Sequence, residues 1–156
     1  MLSFFLGALL SGLIIQNATL RLGKRYSAAL LLESFLLFTA LMMLQHNYSN
    51  SDFLASAACG LQNAMVSTYS GAIIRTTHIT GTVTDLGVMI GQYLRGHTID
   101  TRKLGLYLLL LIGFITGGLV GAFGFLQIHY AILWLPIIST QILALIYGWY
   151  WFRQKH

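Results

Sequence analysis

Residues 75–87 read RTTHITGTVTDLG. Five threonines, Arg75, His78 and Asp85 stand there, with Gly81 and Gly87 among them. Hydroxyl, imidazole and carboxylate groups at this density suit recognition of a polar solute or an ion. His78 and Asp85 also titrate once their surroundings shift them, so either is able to carry a proton. In helical register, Thr77, Gly81, Thr84, Asp85 and Gln92 share one face, and Ile79, Val83, Leu86, Ile90 and Tyr93 the other. The first face suits a protein interior or a water-filled cavity; the second suits lipid or apolar neighbours. Threonine is a weak helix former, and Gly71 and Gly81 add backbone freedom. A helix break is therefore expected within 76–81. A helix restarting there presents free N–H groups and a positive dipole end, with Thr80 or Thr82 as its cap and Asp85 in its first turns. The bland reading is that the threonine hydroxyls bond back to their own helix. Asp85 then pairs with Arg75 or faces the cytoplasm.

Two more polar points interrupt apolar sequence. Glu33 sits in LLLESFLLF, eight residues beyond Arg25, or about 12 Å along a helix. A carboxylate at that depth in a membrane faces inward and needs a partner. Arg75, Gln62 and Asn63 are the candidates, or the group is protonated. A structural interhelical hydrogen bond is the plainer alternative. Gln62 and Asn63, in CGLQNAMVS, form the other point.

These groups need a scaffold, and composition says what kind. The 156 residues are 56% hydrophobic and only 8% charged, with mean hydropathy +0.73. Soluble domains carry about 25% charged residues. An integral membrane protein is expected. The net charge of +5 does not form a nucleic-acid face. The basic residues stand at the ends of apolar segments, where cytoplasmic anchors belong. The single cysteine, Cys59, leaves no internal disulfide or multi-cysteine metal site and reads as a packing residue. The first apolar run has no Lys or Arg before Arg21 and continues past Ile15, so it reads as a mature helix rather than a signal peptide.

Five apolar segments are expected, over 2–20, 28–45, 53–66, 104–125 and 130–152, with a shorter amphipathic stretch ending at Leu94. Arg21, Lys24 and Arg25 mark one cytoplasmic end; Arg95, Arg102 and Lys103 mark another; Arg153 and Lys155 mark a third. The turns 46–52 and 127–130 carry no Lys or Arg and read as external. The two assignments agree only if 53–94 crosses an odd number of times, which favours a broken or re-entrant element there. FFLGALLSG, from Phe4, also resembles FITGGLVGA, from Phe114: Gly7, Ala8 and Ser11 fall on Gly117, Gly118 and Gly121. A long helix follows each copy, opening with Tyr26 or Tyr130. An odd crossing number would make this an inverted repeat, a recurrent transporter architecture; chance similarity of small-residue helices is the alternative. Gly113, Gly117 and Gly121 are spaced for close helix packing. Trp149, Tyr150 and Trp151 suit an interfacial belt.

Catalysis finds little support. The sequence has no HExxH, P-loop or G-x-S-x-G. TYSG, around Ser70, lacks the leading glycine, and nothing orients His78 toward it. No metal or cofactor is called for. Asn17-Ala-Thr19 and Asn47-Tyr-Ser49 match a glycosylation pattern that is common by chance.

From Gly60-Leu-Gln-Asn-Ala64 through 75–87, the order and spacing of residues closely resemble the signature of the YoaK/DUF1275 family of small, mostly bacterial multi-pass membrane proteins. There a GLQNA helix leads into R-T-T-x-x-T-G-x-x-T-D-L-G. The resemblance extends over essentially the whole chain and implies the fold more than an activity. Family members look longer at the N-terminus, with a helix pair carrying an S/T-G-N-T-type motif that looks like a counterpart of Thr80-Gly81-Thr82. The chain is expected to lack that copy, and to pair with another chain if both motifs build the site.

The expectation is thus an all-α, polytopic bundle in the inner membrane. It has about six membrane segments, a discontinuous centre, an inverted repeat and a cytoplasmic C-terminus. Residues 1–46 and 104–152 form helix pairs about the element 53–94. The candidate solute or ion site comprises Thr77, His78, Thr80, Gly81, Thr84, Asp85, Gln62, Asn63, Glu33 and Arg75. The expected partners are the bilayer, a small solute or ion, and a second copy or another chain. A non-transporting structural or assembly role is the alternative. The odd crossing number places positions 50 and 100 on opposite sides of the membrane. Labelling of single cysteines with an impermeant reagent is expected to show this; both labelled from one side would overturn it.

Overall fold

The computed structural model describes residues 1–15, 24–69 and 78–154. Six α-helices run through them: α1 Leu2–Ile14, α2 Lys24–Gln45, α3 Ser51–Tyr69, α4 Ile79–Leu94, α5 Thr101–Ile128 and α6 Trp134–Gln154. A 3-10 helix, His129–Leu133, joins α5 to α6. No strand occurs among the described residues.

Local chemistry sets several boundaries. Asn47, at φ 57°, turns the chain between α2 and α3, a conformation asparagine tolerates better than most residues. Asp100 caps α5, its carboxylate accepting from the N–H groups of Arg102 at 3.0 Å and Lys103 at 3.3 Å. His129, at φ 51°, closes α5. Pro136 lies in the first turn of α6, where the missing N–H leaves no helical bond unmade.

Among the described residues, two helical stretches are long and apolar enough to cross a membrane: Arg25–Gln45, and Thr101–Arg153, which holds α5, the 3-10 turn and α6. The expected first segment, 2–20, appears as a shorter apolar helix ending at Ile14; residues 16–23 lie outside the described set.

α2 is the hub: α3, α6 and the 3-10 helix pack on it, with a slighter contact from α1, while α1 packs mainly on α3. The α1–α3 contact is backbone against backbone. A Cβ on Gly7 would stand 2.7 Å from the Ala57 carbonyl carbon, and one on Gly60 would stand 2.8 Å from that of Phe4. Ser11, one turn beyond Gly7, is fully buried. Hydroxyls hold α2 to α6: Ser27 Oγ donates to the Ala144 carbonyl at 2.7 Å, and Ser34 Oγ to the Ile137 carbonyl at 3.3 Å. Tyr26 meets Tyr147 edge-on at 5.3 Å, and Phe38 meets Trp134 at 5.8 Å. Two apolar clusters fill the centre, one around Leu30, Leu61 and Met65, the other around Leu37, Leu41 and Ile137.

α5 departs from expectation. A Cβ on Gly113, Gly117 or Gly121 would meet nothing within 4 Å, so this stripe makes no close helix contact among the described residues. Among the described residues, α5 packs only on α4 and the 3-10 helix and buries none of its own. The two copies of the sequence repeat therefore differ in environment: Gly7 and Ser11 are buried, while Gly117 and Gly118 are exposed. At the other end of the chain, the Arg153 guanidinium sits 4.9 Å from the Trp149 ring, an arrangement suited to an interface.

The contrast between the stripes is testable. Gly7→Ala is expected to destabilise the protein by about 1–3 kcal/mol, because backbone must move to admit the methyl. Gly117→Ala is expected to be neutral or to stabilise by roughly 0.5–1 kcal/mol, from helix propensity alone. Thermal unfolding in one detergent compares the two variants.

Candidate functional site

The candidate residues fall into two groups. The first belongs to α4. The helix starts at Ile79 with His78 as its N-cap, and no side chain caps it. The start lies within the expected break, but Thr80 and Thr82 fall inside the first turn and do not cap. Thr82 Oγ1 donates to the His78 carbonyl at 3.3 Å, and Thr84 Oγ1 to the Thr80 carbonyl at 2.9 Å. These hydroxyls thus bond back to their own helix, with lone pairs left to accept. The His78 imidazole folds over Gly81, its Cε1 3.1 Å from where a Cβ would stand. Glycine there makes room for the ring.

The faces of α4 also differ from the helical-wheel expectation. Thr82 and Leu86 are its buried residues. Thr84, Asp85 and Gln92 are exposed, and so are Val83, Ile90 and Tyr93. The reason is contact: α4 packs on α5 and on no other described helix. One partner buries a strip one residue wide at four-residue spacing, not a broad face. The partner of Asp85 is likewise one the sequence did not suggest. Its carboxylate lies beside the Tyr107 side chain of α5, close enough to act on it electrostatically. A tyrosine in the apolar run LGLYLLLL was the available signal, since its hydroxyl needs a polar neighbour. Arg75 and Thr77 lie outside the described residues.

The second group belongs to the hub. Glu33 is 3% exposed, and its Oε2 has no hydrogen-bond partner among the described residues. Neither Gln62 nor Asn63, both half-buried on α3, supplies one to that oxygen. The close ionisable neighbour of Glu33 is Cys59 of α3, near enough to be coupled to it electrostatically. Cys59 is exposed rather than packed. α3 and α4 make no contact among the described residues, so the structure does not bring the two groups together. An apolar groove of about 280 Å³ lies elsewhere, between α5 and the start of α6, lined by Gly117, Gly121, Ile132 and Pro136.

These helices define an all-α protein that has, among the described residues, two stretches long and apolar enough to cross a membrane. The chain belongs to DUF1275, a family of proteins of unknown function, whose family model matches residues 1–146. Nothing among the curated proteins matches the chain, and no solved structure matches it.

The contact between Asp85 and Tyr107 predicts coupling. Asp85→Asn and Tyr107→Phe are expected to be non-additive in unfolding free energy by about 0.5 kcal/mol or more, as contacting residues are. Additive effects in a double-mutant cycle would remove the contact.

Proposed function

We propose that the chain is a multi-pass inner-membrane protein of transporter-like character, with a cytoplasmic C-terminus. It binds a small solute or ion through the motif 75–87 together with Glu33, and it is not an enzyme. The observation that carries this reading is Glu33: a carboxyl group deep in an apolar helix, shielded from solvent, with one oxygen unpartnered among the described residues. A purely structural residue at such a position would be expected to have its hydrogen bonds made. Asp85, exposed beside Thr84 and next to Tyr107, adds acceptors of the kind a polar solute or cation takes.

The structural or assembly reading has its own support. The Thr82 and Thr84 hydroxyls donate to their own helix, and Asp85 has an aromatic hydroxyl for a partner. The readings differ in what Asp85→Asn does. A binding site loses its ligand at unchanged folding, whereas a packing element loses stability.

Melting of the purified chain, screened against ions and small metabolites, decides between them. A true ligand at a hundred times its Kd is expected to stabilise the wild type by about 2.7 kcal/mol. The same ligand is expected to leave Asp85→Asn unmoved, with the ligand-free melting temperatures equal. No shift from any compound, with Asp85→Asn melting lower, would favour the packing role.

A further inference from the structure

We propose that the ion of this site is a proton, held on the carboxyl of Glu33 at the seam where α2 meets α3. The inference rests on the ion-binding reading above and names its ion and its seat.

The seam is a boundary between two locked pairs. α1 and α3 are held by glycine-mediated backbone contact, and α2 and α6 by the Ser27 and Ser34 hydroxyls. Glu33 stands between the two apolar clusters that close the seam. Leu30, Leu61 and Met65 lie on one side of it along α2, and Leu37 and Ala58 on the other. A bare carboxylate in that position loses its water and gains no hydrogen bond at Oε2 among the described residues. A neutral carboxyl group loses far less.

The neighbouring elements offer, among the described residues, no charge that replaces the proton. Among the described residues, α1 has no ionisable side chain, and α3 has Cys59 beside Glu33 and Asp52 at its distant start. The 3-10 helix brings His129 and Tyr130, and α6 has Tyr147, Tyr150 and Arg153 toward its C-terminal end. On α2 itself, Arg25 and Tyr26 stand about two turns away, each with interactions of its own. Exchange of the proton with water then requires the seam to part.

The test uses the full chain in lipid vesicles. Carbodiimides activate protonated carboxyls, and a membrane-permeant one reaches buried groups. Dicyclohexylcarbodiimide is expected to label Glu33 at neutral pH, with the label located by mass spectrometry and lost as pH is raised. The infrared carbonyl band of a protonated carboxyl is expected in the wild type and absent from Glu33→Gln. The wild-type band and its shift in heavy water stand even if that variant does not fold. An unlabelled Glu33 with only an ionised-carboxylate band at neutral pH would overturn the proposal. A solute that stabilises the protein while Glu33 proves ionised would overturn the proton and keep the binding reading.

Discussion

The contact of α1 with α3 is what the rest of the structure depends on. In the membrane setting proposed above, lipid is as apolar as leucine, so burial alone does not hold two helices together. They hold where backbones come close enough for many weak contacts to add, and that requires residues without side chains at the crossing. Gly7 and Gly60 supply them from opposite helices, each receiving the other's main chain. With α1 seated, α3 presents its remaining apolar residues, Ala58, Leu61 and Met65, to α2. α2 then reaches α6 through two serine hydroxyls. Each of these buried hydroxyls satisfies itself on a carbonyl of the facing helix, as buried polar groups do.

This order of packing explains why Glu33 is unusual. The other buried polar side chains of α2, Ser27 and Ser34, both bond across to α6. Glu33 faces a helix whose local residues are Cys59 and apolar side chains, and one of its oxygens is left over among the described residues. The α4–α5 pair has the opposite character. It is joined to the hub through the 3-10 helix, its polar groups are largely exposed, and its acidic residue has a partner. The protein therefore holds one carboxyl hidden, with an oxygen to spare, and another open and paired.

Much of this was legible in the sequence, for reasons that also show where reading stops. Apolar run length located the helices, and a lone carboxylate in LLLESFLLF announced a buried acid. Thr80, Gly81 and their neighbours marked where a helix restarts, and α4 does begin at Ile79. Periodicity assigns residues to faces but does not say how many faces find a partner. That is why Thr82 turns inward while Thr84 and Asp85 do not. Small-residue spacing likewise states that a close approach is sterically allowed, not that it occurs. Gly113, Gly117 and Gly121 have the more regular pattern, yet Gly7 and Gly60 make the contact. Tyr107 was missed because its link to Asp85 joins two helices, and no local rule pairs residues across such a distance. Arg75 and Thr77, central to the motif, lie outside the described residues.

The most direct test is a nuclear Overhauser measurement between α1 and α3 in detergent micelles, with glycine and alanine selectively labelled. Cross-peaks are predicted between the α-protons of Gly7 and the backbone protons of Ala57, and between those of Gly60 and Phe4. Intact helical signals from both segments without those cross-peaks would contradict the backbone contact that seats α3. The seam in which Glu33 is placed would be lost with it.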